Sequence, residues 1–393
     1  MTSPLASVVI RGWGSVSALG FSAVPTHAAA TTFRPDAASG LPVAALPPTA
    51  EAALAALRQR RPAYRALDRS VLLALLATER AVEQAHWTPT DSATLAVSLG
   101  SSRGATERLE TFHAEFLHHG AVPTTASPLT TLGNVASWVA DSVGATGAAI
   151  SHSSTCSTAL QALGNAVAWL KAGLAERFLA GGTEAPLTSF SLAQMQALRI
   201  YSPHRPDEFP CRPGAGGASS FVLGEGAAVL ALEAVPAAQL QPGDLLLESV
   251  GFGFEATGTK TGLTPDGQHF QQAMRQALQL ADKSVSDVDL LVLHSPGTAA
   301  GDASEHAAVK LVFGADVPAC TSNKWLLGHT LGASAALSLD FALHLLKNQV
   351  VPTPLPFDTW LNHRPAPRRI QRVMINAAGF GGNAASALVS VVG

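Results

Sequence analysis

Ala148-Ala149-Ile150-Ser151-His152-Ser153-Ser154-Thr155-Cys156-Ser157-Thr158 is the stretch on which the reading of this chain turns. It opens as an apolar, strand-like run. Beyond it, Leu160, Leu163, Val167 and Leu170 recur at spacings of three and four, the period of one helix face. Cys156 therefore falls where a strand gives way to a helix. The unpaired N–H groups and the dipole of a helix N-terminus favour an anion there. Thiolate is the nucleophilic form of cysteine, so this placement points to a nucleophile. A small buried cysteine capping a core helix fits the same segment equally well. The remainder of the chain decides between them.

Upstream, Val8-Val9-Ile10 runs into Gly12-Trp13-Gly14 as a buried strand entering a loop. Residues 26–50, rich in Ala, Pro and Thr, read as irregular. The pattern predicts a helix over 67–86, a strand Leu95–Leu99 stopping at Gly100, and a helix over 129–143. Downstream come a strand Phe178–Ala180 ending at Gly181-Gly182, a Pro/Gly loop over 201–219 and a strand Phe221–Leu232. A soft boundary lies at Val235–Gly243. A second alternation follows: strand Leu245–Val250, helix 267–281, strand Leu290–Leu293, helix 302–312, strand Ala319–Thr321, helix 331–347, strand Val373–Asn376, a glycine turn and strand Ala385–Val392. Strands alternating with helices imply an α/β sheet covered on both faces. Both halves open on an apolar strand running into a Gly–aromatic segment, a hint of duplication into units 1–235 and 236–393.

Charged residues make up 13% of the 393, about half the usual share, and apolar residues 47%, many of them alanine. That composition suggests extensive buried surface, including a large obligate subunit interface, or an alanine-rich compositional bias. A net charge of -3 argues against nucleic-acid binding. Three widely separated cysteines form neither a disulfide framework nor a metal set, and fit a reducing cytoplasm. No apolar run of membrane-spanning length and no signal-peptide pattern is expected.

Three further pieces carry chemistry. His294 follows the apolar run Leu290–Leu293, at the carboxyl end of a strand where α/β sheets gather ligands. It heads His294-Ser295-Pro296-Gly297-Thr298, with Asp302 and Glu305 behind. Lys324 and His329 share Asn323-Lys324-Trp325-Leu326-Leu327-Gly328-His329, and a histidine at a helix start is favoured as neutral imidazole. Asn376-Ala377-Ala378-Gly379-Phe380-Gly381-Gly382-Asn383 can present bare N–H groups to an oxyanion, or serve as an ordinary tight turn.

Taken together and in this order, these pieces resemble the β-ketoacyl-acyl-carrier-protein synthases of the thiolase superfamily, over nearly the whole chain. Gly181–Glu184 and Gly224-Glu225-Gly226-Ala227 match further family landmarks. The resemblance implies a thiolase-like, duplicated five-layer αβαβα fold, with Cys156 in the first half and the His/Lys/His motifs in the second. It implies that Cys156 accepts an acyl group and that His294 and His329, as neutral donors, steady the enolate left by decarboxylating a malonyl unit. Lys324 and Glu305 would form a buried ion pair behind them. Backbone N–H groups of Cys156 and Phe380 would hold the tetrahedral oxyanion, with Phe380 as a gate. Thr298, Gly379 and Gly381 would line the substrate path. No cofactor or metal is bound permanently; phosphopantetheine arrives on the acyl carrier protein. Arg58, Arg60, Arg61, Arg65 and Arg69 form a basic cluster, with Arg61 and Arg65 as candidates for carrier docking, or else a solvated charged face. A homodimer, or a heterodimer with a chain-length subunit, is expected.

Departures from the family pattern leave the implied reaction class intact and bear on the acyl substrate. Pro296 stands where the family has Thr, Ala218-Ser219-Ser220 where it has Arg-Asp-Gly, and Arg103 where it places an apolar pocket residue. Burying an unpaired guanidinium is costly, so Arg103 must find a partner or water: it either turns away from the pocket, the favoured outcome, or points inward and favours a polar or conjugated, oxygen-bearing acyl group. Two other readings compete: a non-catalytic chain-length partner, which typically lacks the cysteine, and a thiolase, which needs a second cysteine in the tail after Cys320.

Overall fold

Two five-stranded runs meet at one residue pair, Val9 opposite Leu246, in a computed structural model of the chain. The structure describes residues 6–25, 31–88, 95–256, 258, 263–352 and 354–393. From its outer edge inward, the first run orders Ala149–His152, Leu95–Gly100, Arg177–Glu184, Gly226–Val235 and Ser7–Ser17. The second orders Ala319–Thr321, Leu290–Val292, Arg372–Gly379, Asn383–Val391 and Leu245–Phe254. In each run the three outer strands are parallel and the two inner ones join antiparallel. Counted along the chain, both runs have the order 3-2-4-5-1.

Helices Thr158–Lys171 and Ser334–Asn348 touch each other and strands of both runs, forming a middle layer. Helices Arg69–Ala85 and Asn134–Val143 cover the first run's outer face. Gln268–Leu280 covers the second's, with Ala299–Phe313 packed on it. The layers are thus α, β, α, β, α. A middle-layer helix has sheet on both sides, so its stripe of buried residues widens to most of its surface. Ser334–Leu346 is buried except at His344. Much of the alanine goes here: Ala159, Ala162, Ala166, Ala335, Ala336 and Ala342 are all at most 1% exposed.

The two Gly–aromatic segments do the same job in each half. A Cβ at Gly12 or Gly14 would collide with backbone of Arg69–Ala85; one at Gly251 or Gly253 would collide with backbone of Gln268–Leu280. Each aromatic residue between the glycines donates its N–H to a glutamine on the covering helix, Trp13 to Gln84 at 2.8 Å and Phe252 to Gln276 at 2.6 Å.

Some expected elements differ. The helix expected over 129–143 is two, Ala126–Thr130 and Asn134–Val143, because Thr131 takes an extended conformation before Gly133. The strand expected over Phe221–Leu232 breaks at Glu225 into Leu223–Gly224, in a separate three-stranded sheet, and Gly226–Val235. Residues 26–50 are not wholly irregular: Arg34–Pro35 and Pro42–Ala44 are strands of that small sheet, and a helix starts at Pro48; residues 26–30 lie outside the described residues. Among the described residues no helix is long and apolar enough to cross a membrane.

Candidate active site

The turn between strand Ala149–His152 and helix Thr158–Lys171 presents Cys156. Thr155, just before it, holds φ at 52°, a left-handed conformation that β-branched residues rarely take. Strain of this kind persists where surrounding contacts over-determine it. Here Thr155 Oγ1 donates to Ser154 O at 2.8 Å and to Phe380 O at 3.3 Å, while Thr158 Oγ1 accepts from Ser154 N at 2.8 Å. Gly379 packs directly on Thr155 and Cys156, where any Cβ would collide. The glycine turn and the cysteine turn are therefore built as a pair.

The thiol is not a resting thiolate, contrary to the expectation from the helix N-terminus. The helix begins at Thr158, two residues past Cys156. Burial pushes the thiol up to about 12; nearby Glu184 adds to this, and Lys324 and Arg103 pull the other way.

His294 and His329 converge on the same place from the second half. His294 follows strand Leu290–Val292, and its N–H donates to Glu305 Oε1 at 2.9 Å. His329 follows the short helix Lys324–Leu327, and its backbone is stitched to Val222 O and Gly224 N. The two rings lie 5.1 Å apart, nearly perpendicular. Both are buried. Burial, then Lys324, holds His329 down at about 3; burial, then His329, Lys324 and His269, holds His294 well below its ordinary value. Both are therefore neutral near pH 7. Their Nδ1 atoms are buried without a partner among the described residues.

A native imidazole held neutral binds fewer protons than its unfolded counterpart, so stability is lost as pH falls below the unfolded value near 6.5. For His329 the loss runs from there to about 3, at about 1.4 kcal/mol per pH unit. Asp302, pushed up to about 7 by burial, slopes the opposite way between pH 7 and 4. The comparison is therefore made by difference. We expect His329→Gln to lose part of the acid-side decline in urea-unfolding free energy between pH 4 and 6. An unchanged slope would contradict the buried, neutral state.

Cys156, His294, His329, Thr298, Phe380 and Arg103 line one cavity of about 480 Å³. A thiol, two neutral imidazoles and a glycine turn around one apolar cavity suit acyl transfer and stabilisation of an oxyanion. Residues 20–238 match the family model "Beta-ketoacyl synthase, N-terminal domain", and residues 246–358 match "Beta-ketoacyl synthase, C-terminal domain".

The chain belongs to the β-ketoacyl synthase family.

It is 32% identical over 350 residues to a putative polyketide beta-ketoacyl synthase 1 of Streptomyces cyaneus, covering 82% of each chain. It is 31% identical over 336 residues to 3-oxoacyl-[acyl-carrier-protein] synthase 2 of Staphylococcus aureus, covering 81% of each. Among solved structures, the ishigamide ketosynthase/chain length factor superposes with a TM-score of 0.86 at 20% identity over 99% of this chain and 100% of the other. A beta-ketoacyl synthase from Burkholderia phymatum superposes at 0.85 and 24% identity, with the same coverage. The fold is thus the thiolase-like one, and the family is one of condensing acyltransferases.

Within this member of the family, two expectations are corrected. Lys324 and Glu305 are both buried but form no direct ion pair. Lys324 Nζ donates to Asn323 Oδ1 at 3.2 Å and Ser338 Oγ at 3.0 Å. Glu305 is occupied by the N–H groups of His294 and Ser295, the Ser295 hydroxyl and the Asn376 amide. Burial lowers Lys324 to about 8, partly opposed by Glu305. Arg103, in turn, does not face away. It is half-buried in the wall of the Cys156 cavity, and its guanidinium donates to Gln194 Oε1 at 2.6 Å and Ser191 Oγ at 3.5 Å. Gln194 supplies the partner that makes an inward position tolerable.

The arginine cluster is dispersed. Arg69 leaves any docking face, because its guanidinium binds Glu51 and the buried Glu225. Arg60 pairs with Glu79. Arg61 is exposed, bonded to Asp141 Oδ2 and Tyr64 Oη at 3.0 Å each. Arg65 is exposed on the turn Pro62–Ala66. None of the four lines the cavity. Thr298 precedes helix Ala299–Phe313 on the cavity wall, and Gly381 holds φ at 91° beside Phe380, which is 45% exposed.

Sequence reasoning missed the role of Glu184. Its buried carboxylate accepts from Ser101 Oγ, Ser102 N, Arg103 N and Gly332 N, clamping the loop that carries Arg103 to the turn after His329. The signal was the run Gly181–Glu184, quoted as a landmark without a function. Nor did the sequence point to Gln194, a cavity-wall residue inside helix Ser189–Ala197.

Proposed function

We propose that the protein is a 3-oxoacyl-acyl-carrier-protein synthase: it condenses an acyl group held on Cys156 with malonyl carried by an acyl carrier protein, releasing carbon dioxide, in fatty-acid or polyketide/polyene-type biosynthesis. The observation that carries this reading is the meeting of the Cys156 thiol with two neutral imidazoles on one cavity. Cys156 takes the acyl group from a carrier thioester. The malonyl unit follows on its own phosphopantetheine arm, past the exposed Phe380 and the half-buried Thr298. Loss of carbon dioxide leaves an enolate, whose oxygen takes N–H hydrogen bonds from His294 and His329. Each neutral imidazole has one ring N–H to donate and keeps the other nitrogen as an acceptor. Carbon then attacks the acyl-cysteine, and N–H groups of Cys156 and Phe380 hold the oxyanion. Lys324 and Glu305 act as positioning residues, Lys324 through its field on both imidazoles and Glu305 through the His294 backbone. Phosphopantetheine belongs to the carrier, and no resident cofactor is called for.

Several looser expectations stand with this proposal. Units 1–235 and 236–393 act as paired domains, a division supported by the repeated strand order and by the family-model edges at 238 and 246. Arg61 and Arg65 receive the acidic carrier. The enzyme works in the cytoplasm, a placement supported by three free, buried cysteines. The alternative, a chain-length partner without its own activity, is disfavoured by the intact Cys156, His294 and His329.

Incubation with acyl-carrier and malonyl-carrier, read by mass spectrometry, tests the proposal: 3-oxoacyl-carrier should appear without any added subunit. Its absence, with activity restored only by a second ketosynthase, would favour the alternative. Arg103→Ile should alter the ratio of rates for short and long acyl carriers, since it removes the polar wall that Arg103 shares with Gln194. An unchanged chain-length profile in the folded variant would clear Arg103 of substrate selection. Light scattering should find a dimer, in keeping with the exposed Leu109, Phe116, Leu117 and Leu132; a stable, active monomer at micromolar concentration would refute it.

A further inference from the structure

A third histidine shares the cavity. His269, in the first turn of helix Gln268–Leu280, is fully buried, and its ring lines the same space as Cys156 and His294. It packs on Phe270 at 4.6 Å between centroids, and Phe270 lies 6.3 Å from His294. Unlike His294 and His329, it has a carboxylate partner: Nδ1 is 2.7 Å from Glu255 Oε2. Glu255 is buried just past strand Leu245–Phe254. Its carboxylate also accepts from Thr264 N at 2.7 Å and His269 N at 3.3 Å, and its own N–H donates to Gly382 O at 2.9 Å. The dyad is thereby tied to the turn that carries Phe380. Burial would raise the Glu255 carboxyl, but the bonds from Thr264 and His269 outweigh it and hold it below the usual range.

An ionised carboxylate can only accept a hydrogen bond. Nδ1 of His269 therefore carries the proton, and Nε2 carries the lone pair. That Nε2 is buried and has no partner among the described residues. A buried acceptor left empty is costly, so a donor occupies it in the working cavity. His294 and His329 are placed to give hydrogen bonds to an enolate; His269 is placed to take one.

On the condensation reading, loading supplies that donor. The Cys156 S–H bond breaks, sulfur bonds to the acyl carbon, the carrier's acyl–sulfur bond breaks, and a proton must reach the departing carrier thiolate. Burial keeps the Cys156 thiol protonated at neutral pH, so a base has to receive its proton. Among the other nearby groups, Glu184 accepts four hydrogen bonds and Lys324 is bonded to Asn323 and Ser338, while His294 and His329 are assigned to donate to the enolate and have no carboxylate to orient them as bases. We propose that His269, oriented by Glu255, is the proton-relay residue of this cavity: its Nε2 takes the Cys156 proton through one bridging water and delivers it to the carrier thiolate, then reverses direction after condensation, protonating the released cysteine thiolate from solvent. Sγ and Nε2 line one cavity but make no direct hydrogen bond, so the relay calls for a water between them, as a general base can use. The groups acting on the ring are Glu255 and, more weakly, Glu305, both favouring the imidazolium against burial, with His294 alongside.

The test follows the burst of acyl-Cys156 formed from an acyl carrier, and separately malonyl-carrier decarboxylation, from pH 6 to 9. His269→Gln should slow acylation about 100-fold at pH 7, slow decarboxylation less, and regain acylation as pH rises. Glu255→Gln should give a smaller loss in the same direction. The wild-type enzyme should acylate more slowly in D2O, with more than one exchangeable proton in flight. Acylation with wild-type rate and pH profile in a folded variant overturns the relay. So does an equal fall in both partial reactions with no change in pH profile, or an absent isotope effect in the wild type. A wild-type enzyme that is never acylated defeats the condensation reading itself, which separates the two failures.

Discussion

Cys156→Ala should abolish condensation while leaving the circular dichroism spectrum of the native protein. Removing an enzyme nucleophile costs up to about six orders of magnitude in rate. Alanine fits the site without new bulk, and the strained φ of 52° belongs to Thr155 rather than to Cys156. Mass spectrometry supplies a direct readout: wild-type protein incubated with acyl carrier should gain one acyl mass, and the variant should gain none. Cys211 and Cys320 are buried as well, and burial pushes both thiols up. Iodoacetamide should therefore modify Cys156 first, since it alone of the three lines the cavity. An acylated Cys156→Ala protein, or one that still condenses, would remove the cysteine from the mechanism.

His329→Ala is expected to cut malonyl-carrier decarboxylation by about 100- to 1000-fold, equal to roughly 2.7–4 kcal/mol of transition-state stabilisation. The ring is buried, neutral and 5.1 Å from its partner imidazole, so the donor is fixed in place before charge develops. Acyl transfer to Cys156 should fall less, because that step develops charge at a different oxygen. Decarboxylation near the wild-type rate, alongside impaired acyl transfer, would reverse the assignment. The acid side of the decarboxylation profile should also be flat from pH 7 to 5, since His329 is held at about 3 and His294 well below its ordinary value.

What could be read from the sequence followed a physical rule. Cys156 and His294 sit close behind strands and His329 follows a short helix, so local pattern placed all three near strand ends and turns. Orientation of long side chains was a different matter. Arg103 depends on Gln194, 91 positions away, and no local pattern announces that partner. Glu305 was paired with Lys324 on the family resemblance alone; the folded chain instead spends the carboxylate on N–H groups ten and eleven residues back, at Ser295 and His294. The glycine pairs at 12/14 and 251/253 were visible as a repeated motif, but their reason, contact with a covering helix, exists only in three dimensions. Glu255 and His269, fourteen residues apart across a segment with weak periodicity, offered no signal at all.

The narrow seam at Val9 and Leu246 has a consequence for how activity is gained. The nucleophile comes from one side of it and both imidazoles from the other, so neither side alone holds a reaction centre. Cutting the chain between Val235 and Leu245, where the connection is a short turn, should yield two inert fragments that regain catalysis only on reassociation. Such a pair would work as a two-piece reporter, with chemistry itself as the signal of assembly.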